Sequence, residues 1–470
     1  MLLRLLPLGI ASLLLTLSVQ SGWADSSNLV AQASSPAEAL DPEGEEAAST
    51  EESTPAPEGQ PLDEVDQLIV EGLRQYEGNN AAEARATLEQ ALTAAQTNEN
   101  LPQQSFTLTM LSVITLNQGD YDQASDYGQQ AITALENVDD PQSTVVALNV
   151  LGRSAQLQGN LPDAVNYSQN ALQLSETIEF DAGKLDALHV LATTYEAIGE
   201  YPLALNAAQL AIPVAQSERD GRVLLSSLNV ATASLLALDE YETALVVAED
   251  ALTVSTELGT EQGRAVALSN QGVAQYRLSN VDKAIELQNQ ALEIAEEQNL
   301  LEVQFTALYV LALAHYDKEE VDTAIDFYQR RLTLSRESGA VGAELQSLLW
   351  LGSAYLDSGR SADAIASFDE LATLAAERNQ PAFQRWGQSG LGFASVQIQD
   401  YPKAQGHFEQ ALSIAKSIDD RLGEYESLSL LAQVHQAQNN LDQAEDYAAQ
   451  AEAIRAEVEA QPDPSTETEE

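Results

Sequence analysis

Residues 279–298, "SNVDKAIELQNQALEIAEEQ", read as one amphipathic helix behind a short polar turn. Forty residues earlier stands "DEYETALVVAEDALTVSTEL" (239–258), and forty later "EEVDTAIDFYQRRLTLSRES" (319–338). An Ala and the apolar residue after it hold register in all three. Working outward, Ala recurs at 84, 124, 164, 204, 244, 284, 324, 364, 404 and 444, with no insertion anywhere. Seven residues on, a second column reads Ala91, Ala131, Ala171, Ala211, Ala251, Ala291, Arg331, Leu371, Ala411 and Ala451. Three further on, an apolar column runs from Ala94 through Ile294 to Ile454. Offsets of 7 and 3 place these columns on one stripe of a helix.

A second helix lies upstream in each period. Leu108, Leu148, Leu188, Leu228, Leu268, Leu308 and Leu348 share a column, and four residues on every residue is small, from Gly72, Gly152 and Gly272 to Gly352 and Gly392. A small residue in every period predicts two backbones in close approach, with Ala284 and its equivalents as the matching surface. The turns "QGD", "QGN", "IGE", "LDE", "SGR" and "IQD" precede the second helix, and Pro162, Pro202 and Pro402 fall in its first turn, where the missing N–H has no partner to lose. Pro213 sits well inside a helix and predicts a local kink. Helix-turn-helix at a fixed period of 40 predicts an all-α chain, an α-solenoid of about ten helix pairs over residues 61–457. Glu71 stands in a column that is mostly leucine and Glu452 in one that is otherwise apolar, as expected of polar outer faces on terminal repeats.

The formal charge of -52 opposes binding to phosphate backbones and anionic headgroups, so nucleic acid is not an expected partner. The chain has no cysteine, which excludes disulfides, thiolate nucleophiles and cysteine metal sites. Its lysines are Lys184, Lys283, Lys318, Lys403 and Lys416. So acidic a surface fits either a saline habitat or a cationic partner.

Residues 1–24 have the layout of a signal peptide: Arg4, an apolar run from Leu5 to Leu17, then small residues, with cleavage expected after Ala24 or after Ala33. The run is short for a membrane span, so no stable insertion is expected once the leader is removed. Export to a bacterial periplasm or envelope, or secretion, follows as the expectation. Residues 25–60 read as a disordered acidic linker rich in Pro, Ser and Glu, and residues 458–470 as an acidic tail.

"LGSAYLDSGRSADAIASFDELATLA" (351–375) carries an L-G-x-x-Y start, a G-x-x-x-x-A spacing and a following aromatic, and resembles the tetratricopeptide repeat (TPR) family. "LALAHYDKEEVDTAIDFYQRRLTLS" (311–335) is looser, with Ala312 in place of Gly and Tyr316 one place late. The usual TPR period is about 34 residues; a period of 40 is more similar to Pins/LGN-type TPRs and to arrays attached to bacterial signalling proteins. The resemblance implies a right-handed superhelix with first helices lining a concave face that holds ligands.

No nucleophile motif, phosphate loop or zinc helix is present. "GQSGLG" (387–392) lies in a first-helix slot with no strand before it, and His189, His315, His407 and His435 are never four residues apart. No enzyme activity, cofactor or metal is expected. In the groove the resemblance implies, two patches stand out. Asn149, Arg153, His189, Thr193 and Asn229 form a donor-rich polar run suited to a peptide backbone or a carboxylate. Tyr276, Arg277, Tyr309 and Tyr316 form an aromatic patch with one cation, residue types that anchor interfaces. The expected partner is therefore a protein or peptide, held by a non-enzymatic scaffold. Two alternatives are a cation-binding assembly or delivery factor, and the sensor half of a signalling pair.

Overall fold

The computed structural model describes residues 63–459; the expected leader, the linker and nearly all of the acidic tail lie outside them. Twenty helices make up the described residues. They are α1 Glu64–Glu77, α2 Ala81–Thr97, α3 Leu101–Asn117, α4 Tyr121–Leu135, α5 Pro141–Leu157, α6 Leu161–Thr177, α7 Asp181–Ala197, α8 Tyr201–Ser217, α9 Gly221–Ala237 and α10 Tyr241–Glu257. They continue as α11 Glu261–Arg277, α12 Val281–Glu297, α13 Leu301–Asp317, α14 Val321–Ser338, α15 Val341–Asp357, α16 Ser361–Glu377, α17 Pro381–Gln397, α18 Tyr401–Ser417, α19 Arg421–Ala437 and α20 Leu441–Glu459. Odd-numbered helices are the first of each pair. The chain divides into two compact units, one ending at Asn270 and one beginning at Gln271. Each is a stack of helix pairs, so the all-α solenoid expected from the period is what the chain forms.

The turns reveal a finer period than the sequence columns did. Left-handed backbone recurs at every twentieth residue from Asn79 to Asn439, with position 139 the exception. Most helices are 17 residues long, so a helix and a three-residue turn make half a repeat. Gly119 shows how the turn works: at φ 78° its N–H bonds to the Leu116 carbonyl, and the Asp120 N–H reaches back to Thr115, both at 3.0 Å. Asp120, Asp140 and Asp420 then cap the next helix by accepting from the amides of Gln123, Ser143 and Gly423. Helix α4 stops early at Leu135, and the chain crosses to α5 through Glu136–Asp140 instead.

The close crossing within each pair is real. All ten alanines of the 40-residue column are buried, from 0% exposed at Ala84 to 9% at Ala444. A Cβ on Gly352 would stand 2.7 Å from the Phe368 ring, and one on Gly152 would stand 2.4 Å from Ser168 Oγ. A larger residue would have to displace the Phe368 ring at Gly352 and turn the Ser168 hydroxyl away at Gly152. The glycines of "GQSGLG" serve the same packing: a Cβ on Gly390 would meet Phe368 at 2.4 Å. Helix α8 runs unbroken through Pro213, which is exposed. First helices also touch the first helix of the next repeat, among them α5 with α7, α7 with α9 and α15 with α17. In the unit ending at Asn270 these contacts make a continuous first-helix face.

Candidate functional site

In the unit ending at Asn270, the polar residues lie on α5, α7 and α9. On α5, Arg153 Nη1 donates to Gln156 Oε1 of the same helix at 3.1 Å and approaches His189 Nε2 of α7 at 3.4 Å. A guanidinium can only donate, so Nε2 is the acceptor and the imidazole proton sits on Nδ1. Gln156 Nε2 donates to the hydroxyls of Thr193 and Thr194 at 2.7 and 2.9 Å. Thr193 in turn donates to the His189 carbonyl at 2.8 Å. Arg153, His189 and Thr193 are therefore joined, through Gln156, into one network between two helices. Asn149 is 7% exposed, and its amide donates to the Gly183 carbonyl at 2.8 Å, tying α5 to the start of α7. Asn229 stands apart on α9, with its Oδ1 buried and lacking a donor.

The electrostatics follow from burial. Burial and then the Arg153 charge lower the His189 pKa to about 4, so the ring is neutral at pH 7. Burial likewise lowers the pKa of Arg153, which remains a cation. Two acids of α7 move the other way. Asp186 is raised to about 6, by burial first and then by Asp220, with Arg153 opposing. Its side chain is nonetheless exposed, and solvent screens it. Glu196 is half-buried, and burial alone raises it to about 7. Neither acid nor Gln156 belongs to the polar patch read from the sequence. The missed signal is a column: residues 76, 156, 196, 276 and 316 share one position of the repeat, occupied by Tyr76, Gln156, Glu196, Tyr276 and Tyr316.

In the unit beginning at Gln271, that column forms rungs. The Tyr276 hydroxyl donates to Asp317 Oδ2 at 2.9 Å, and the Tyr316 hydroxyl donates to Asp357, each partner lying 41 residues on. Burial, followed by those carboxylates, raises both phenol pKa values. The Tyr309 ring lies 5.9 Å from Trp350, and Arg277 is close enough to Tyr276 to oppose its shift. All three tyrosines act electrostatically on the buried phenol of Tyr328, whose pKa is raised mainly by burial. The aromatic residues thus do come together, but the hydroxyls of Tyr276 and Tyr316 are already bonded to carboxylates of this chain.

Arg331 breaks the alanine column and the structure gives it a role. It is 7% exposed, and it donates to the carbonyls of Phe305 and Ala343, to Ser347 Oγ and to Gln346 Oε1 at 2.8–3.3 Å. Its guanidinium lies 5.6 Å from the ring centres of Phe305 and Tyr309. Burial lowers its pKa to about 10, which still leaves a cation at neutral pH.

The histidines do not converge. His315 Nδ1 pairs with Glu320 at 2.6 Å, His407 Nδ1 pairs with Gln388 at 2.9 Å, and His435 stacks on Tyr447. Among the described residues no three His, Asp or Glu side chains gather to hold a metal ion. No described helix is long and apolar enough to cross a membrane.

Among curated proteins there is no match. Several solved structures are similar in fold. The tetratricopeptide sensor-bearing STAND signal-transduction ATPase from Pyrococcus horikoshii aligns at 14% identity over 70% of this chain and 52% of that one, with a TM-score of 0.52. The apo form of RapI aligns at 14% identity over 84% and 99%, with a TM-score of 0.48. The apo quorum sensor NprR from B. thuringiensis aligns at 13% identity over 83% and 98%, with a TM-score of 0.49. A family profile described as tetratricopeptide repeat matches residues 143–217, 224–297 and 384–457, and two further profiles of that description match 290–339 and 345–378. With the helix pairs, the small-residue crossings and the first-helix face already in place, these matches settle the family: the chain belongs to the tetratricopeptide repeat family.

Proposed function

We propose that this chain is an exported, non-enzymatic scaffold that binds an extended peptide or protein segment across the first helices α5, α7 and α9. The observation that carries the reading is the Arg153–Gln156–His189–Thr193 network. It fixes polar side chains of two repeats on one face before any ligand arrives, which lowers the ordering cost of binding. The aromatic face around Tyr276, Tyr309 and Tyr316 supplies a second, less polar contact surface in the other unit. Export rests on the leader-like N-terminus and is checked by sequencing the mature chain, which is expected to begin at Asp25 or Ser34.

The binding reading is tested by selecting a phage-displayed random heptapeptide library on the full-length chain at 0.3 M NaCl. Selected peptides should protect amides of α5, α7 and α9 in hydrogen exchange and lose at least tenfold in affinity against R153Q, as removal of a charge-assisted donor implies. Protection confined to the termini, or peptides indifferent to R153Q, would overturn it.

A further inference from the structure

The groove read from the sequence looked rich in donors; the folded chain uses most of them internally. Asn149 gives its amide to Gly183, Gln156 gives its amide to Thr193 and Thr194, and Thr193 gives its hydroxyl to His189. What stays open on α7 is acceptor capacity. Glu196 is the clearest case. In its column Tyr276 and Tyr316 reach an acid 41 residues ahead, and Tyr76 meets the amide of Asn117 at the same separation. For Glu196 the residue at that separation is Ala237, which has no polar side chain, and the neighbouring repeats offer Gln156, already engaged, and Leu236, which is buried and apolar. The carboxylate thus sits half-buried with no hydrogen bond and no ion pair. A second observation points the same way. Toward the start of α7, Asn149, more than nine-tenths buried, holds a side-chain oxygen without a donor, and Asn229 on α9 holds another. Stranded acceptors are uncommon in folded proteins and favour an arriving donor.

We propose that Glu196 is the specificity-determining residue of the α5–α7–α9 face, and that it selects a basic side chain, Lys or Arg, of the bound peptide. This rests on the reading of that face as a peptide site and adds the chemistry of its ligand. Arg153 does not compete with the arriving cation: its charge acts on Asp186 and His189, whereas burial is the sole cause of the Glu196 shift. His189 and Glu196 are seven residues apart on one helix, or about 10 Å along its axis. A ligand therefore meets a donor, Arg153, near the middle of α7 and an acceptor, Glu196, near its C-terminal end. Asp186, near Arg153, is partly neutralised and is a secondary contact. The polarity is the reverse of a face built to take a free carboxylate alone.

The experiment is the same heptapeptide selection, read for sequence and repeated on E196Q. The substitution keeps shape and changes one charge in a chain whose formal net charge is -52, so non-specific attraction to the acidic surface is nearly unchanged. Selected peptides should be enriched in Lys or Arg, and each should bind E196Q at least tenfold more weakly, with circular dichroism showing unchanged helix content. D186N should weaken binding less than threefold. Peptides that depend on Arg153 but lack a basic residue, or that bind E196Q as tightly as the parent, would overturn the inference and leave the peptide-binding reading standing. Peptides indifferent to both R153Q and E196Q would remove the two together.

Discussion

Gln156 and Glu196 in one unit hold the same position of the repeat as Tyr276 and Tyr316 in the other, yet the two sets of side chains end up with opposite character. Where the column is Tyr276 or Tyr316, the phenol finds an acid one repeat ahead and the rung closes. Where it is Gln156, the amide turns to Thr193 and Thr194 and the rung closes differently. Where it is Glu196, nothing answers it. The backbone is the same throughout. Recognition capacity therefore arises where the repeat-to-repeat bonding pattern is left incomplete, and a closed rung contributes to stacking instead.

The core shows the same contrast and gives the largest expected effect. In the polar unit the second column is alanine at 91, 131, 171, 211 and 251, all 0% exposed. In the aromatic unit Arg331 fills the equivalent place between α13, α14 and α15. R331A restores the residue that dominates its column, and simple repeat logic would call it stabilising. It should instead cost about 3 kcal/mol or more, because it opens a cavity and strips a donor from four acceptors, three of them buried. R331M should cost less, since it keeps part of the volume and removes a charge that burial disfavours. Urea unfolding followed by fluorescence of Trp350 and Trp386, both in this unit, reads the difference. An R331A midpoint at or above that of the parent would show that the network contributes nothing.

How far the sequence reached is clear from these residues. The alanine column, the small column and the turns follow from sterics with a strict period, and a period survives in one dimension. The destination of a hydrogen bond does not. Asn149 and Thr193 look like open donors in the sequence because their acceptors, the carbonyls of Gly183 and His189, are backbone groups that no residue letter reveals. Arg331 looked like a lapse in the column because its partners come from two other helices. The left-handed residue at every twentieth position was also hidden, since Glu99, Arg219 and Gln399 fill a place where glycine would have announced it. Glu196 could have been found by extending the column of Tyr276 and Tyr316 backwards by 80 residues.

The open rung also makes a pH signature specific to the polar unit. The ordinary pKa of a glutamate is 4.5, and in the fold Glu196 titrates near 7. Between those values the folded chain holds a proton that the unfolded chain has released, so this residue's effect is to lower stability as pH rises from 4.5 to 7. The difference in pKa sets an upper bound of about 3 kcal/mol, and partial exposure reduces the expected cost to roughly 1–2 kcal/mol. His189 works in the opposite sense: its folded pKa is about 4 against 6.5, so stability falls as pH drops from 6.5 to 4. That contribution is common to the parent and to E196Q and cancels between them. Native-state hydrogen exchange of α7 amides should show E196Q more protected by roughly 1–2 kcal/mol at pH 8 and equal to the parent at pH 4. A gap of the same size at both values would mean that the carboxylate is not the cause.

The closed rungs are expected to give the smallest effect, and its size tests whether they are structural. Y316F removes one hydroxyl and leaves the ring in place. The Asp357 carboxylate that loses its donor reaches solvent and can be hydrated, so the loss should be only about 0.5–1 kcal/mol in urea unfolding. A second readout separates this from a packing effect. Burial raises the Asp357 pKa and the Tyr316 hydrogen bond opposes that rise, so Y316F should move the Asp357 titration upward. NMR of the carboxyl carbon follows that shift directly. An unchanged titration would mean that the hydroxyl does not hold Asp357 in solution, and the aromatic patch would then be as open to a ligand's donors as the polar one.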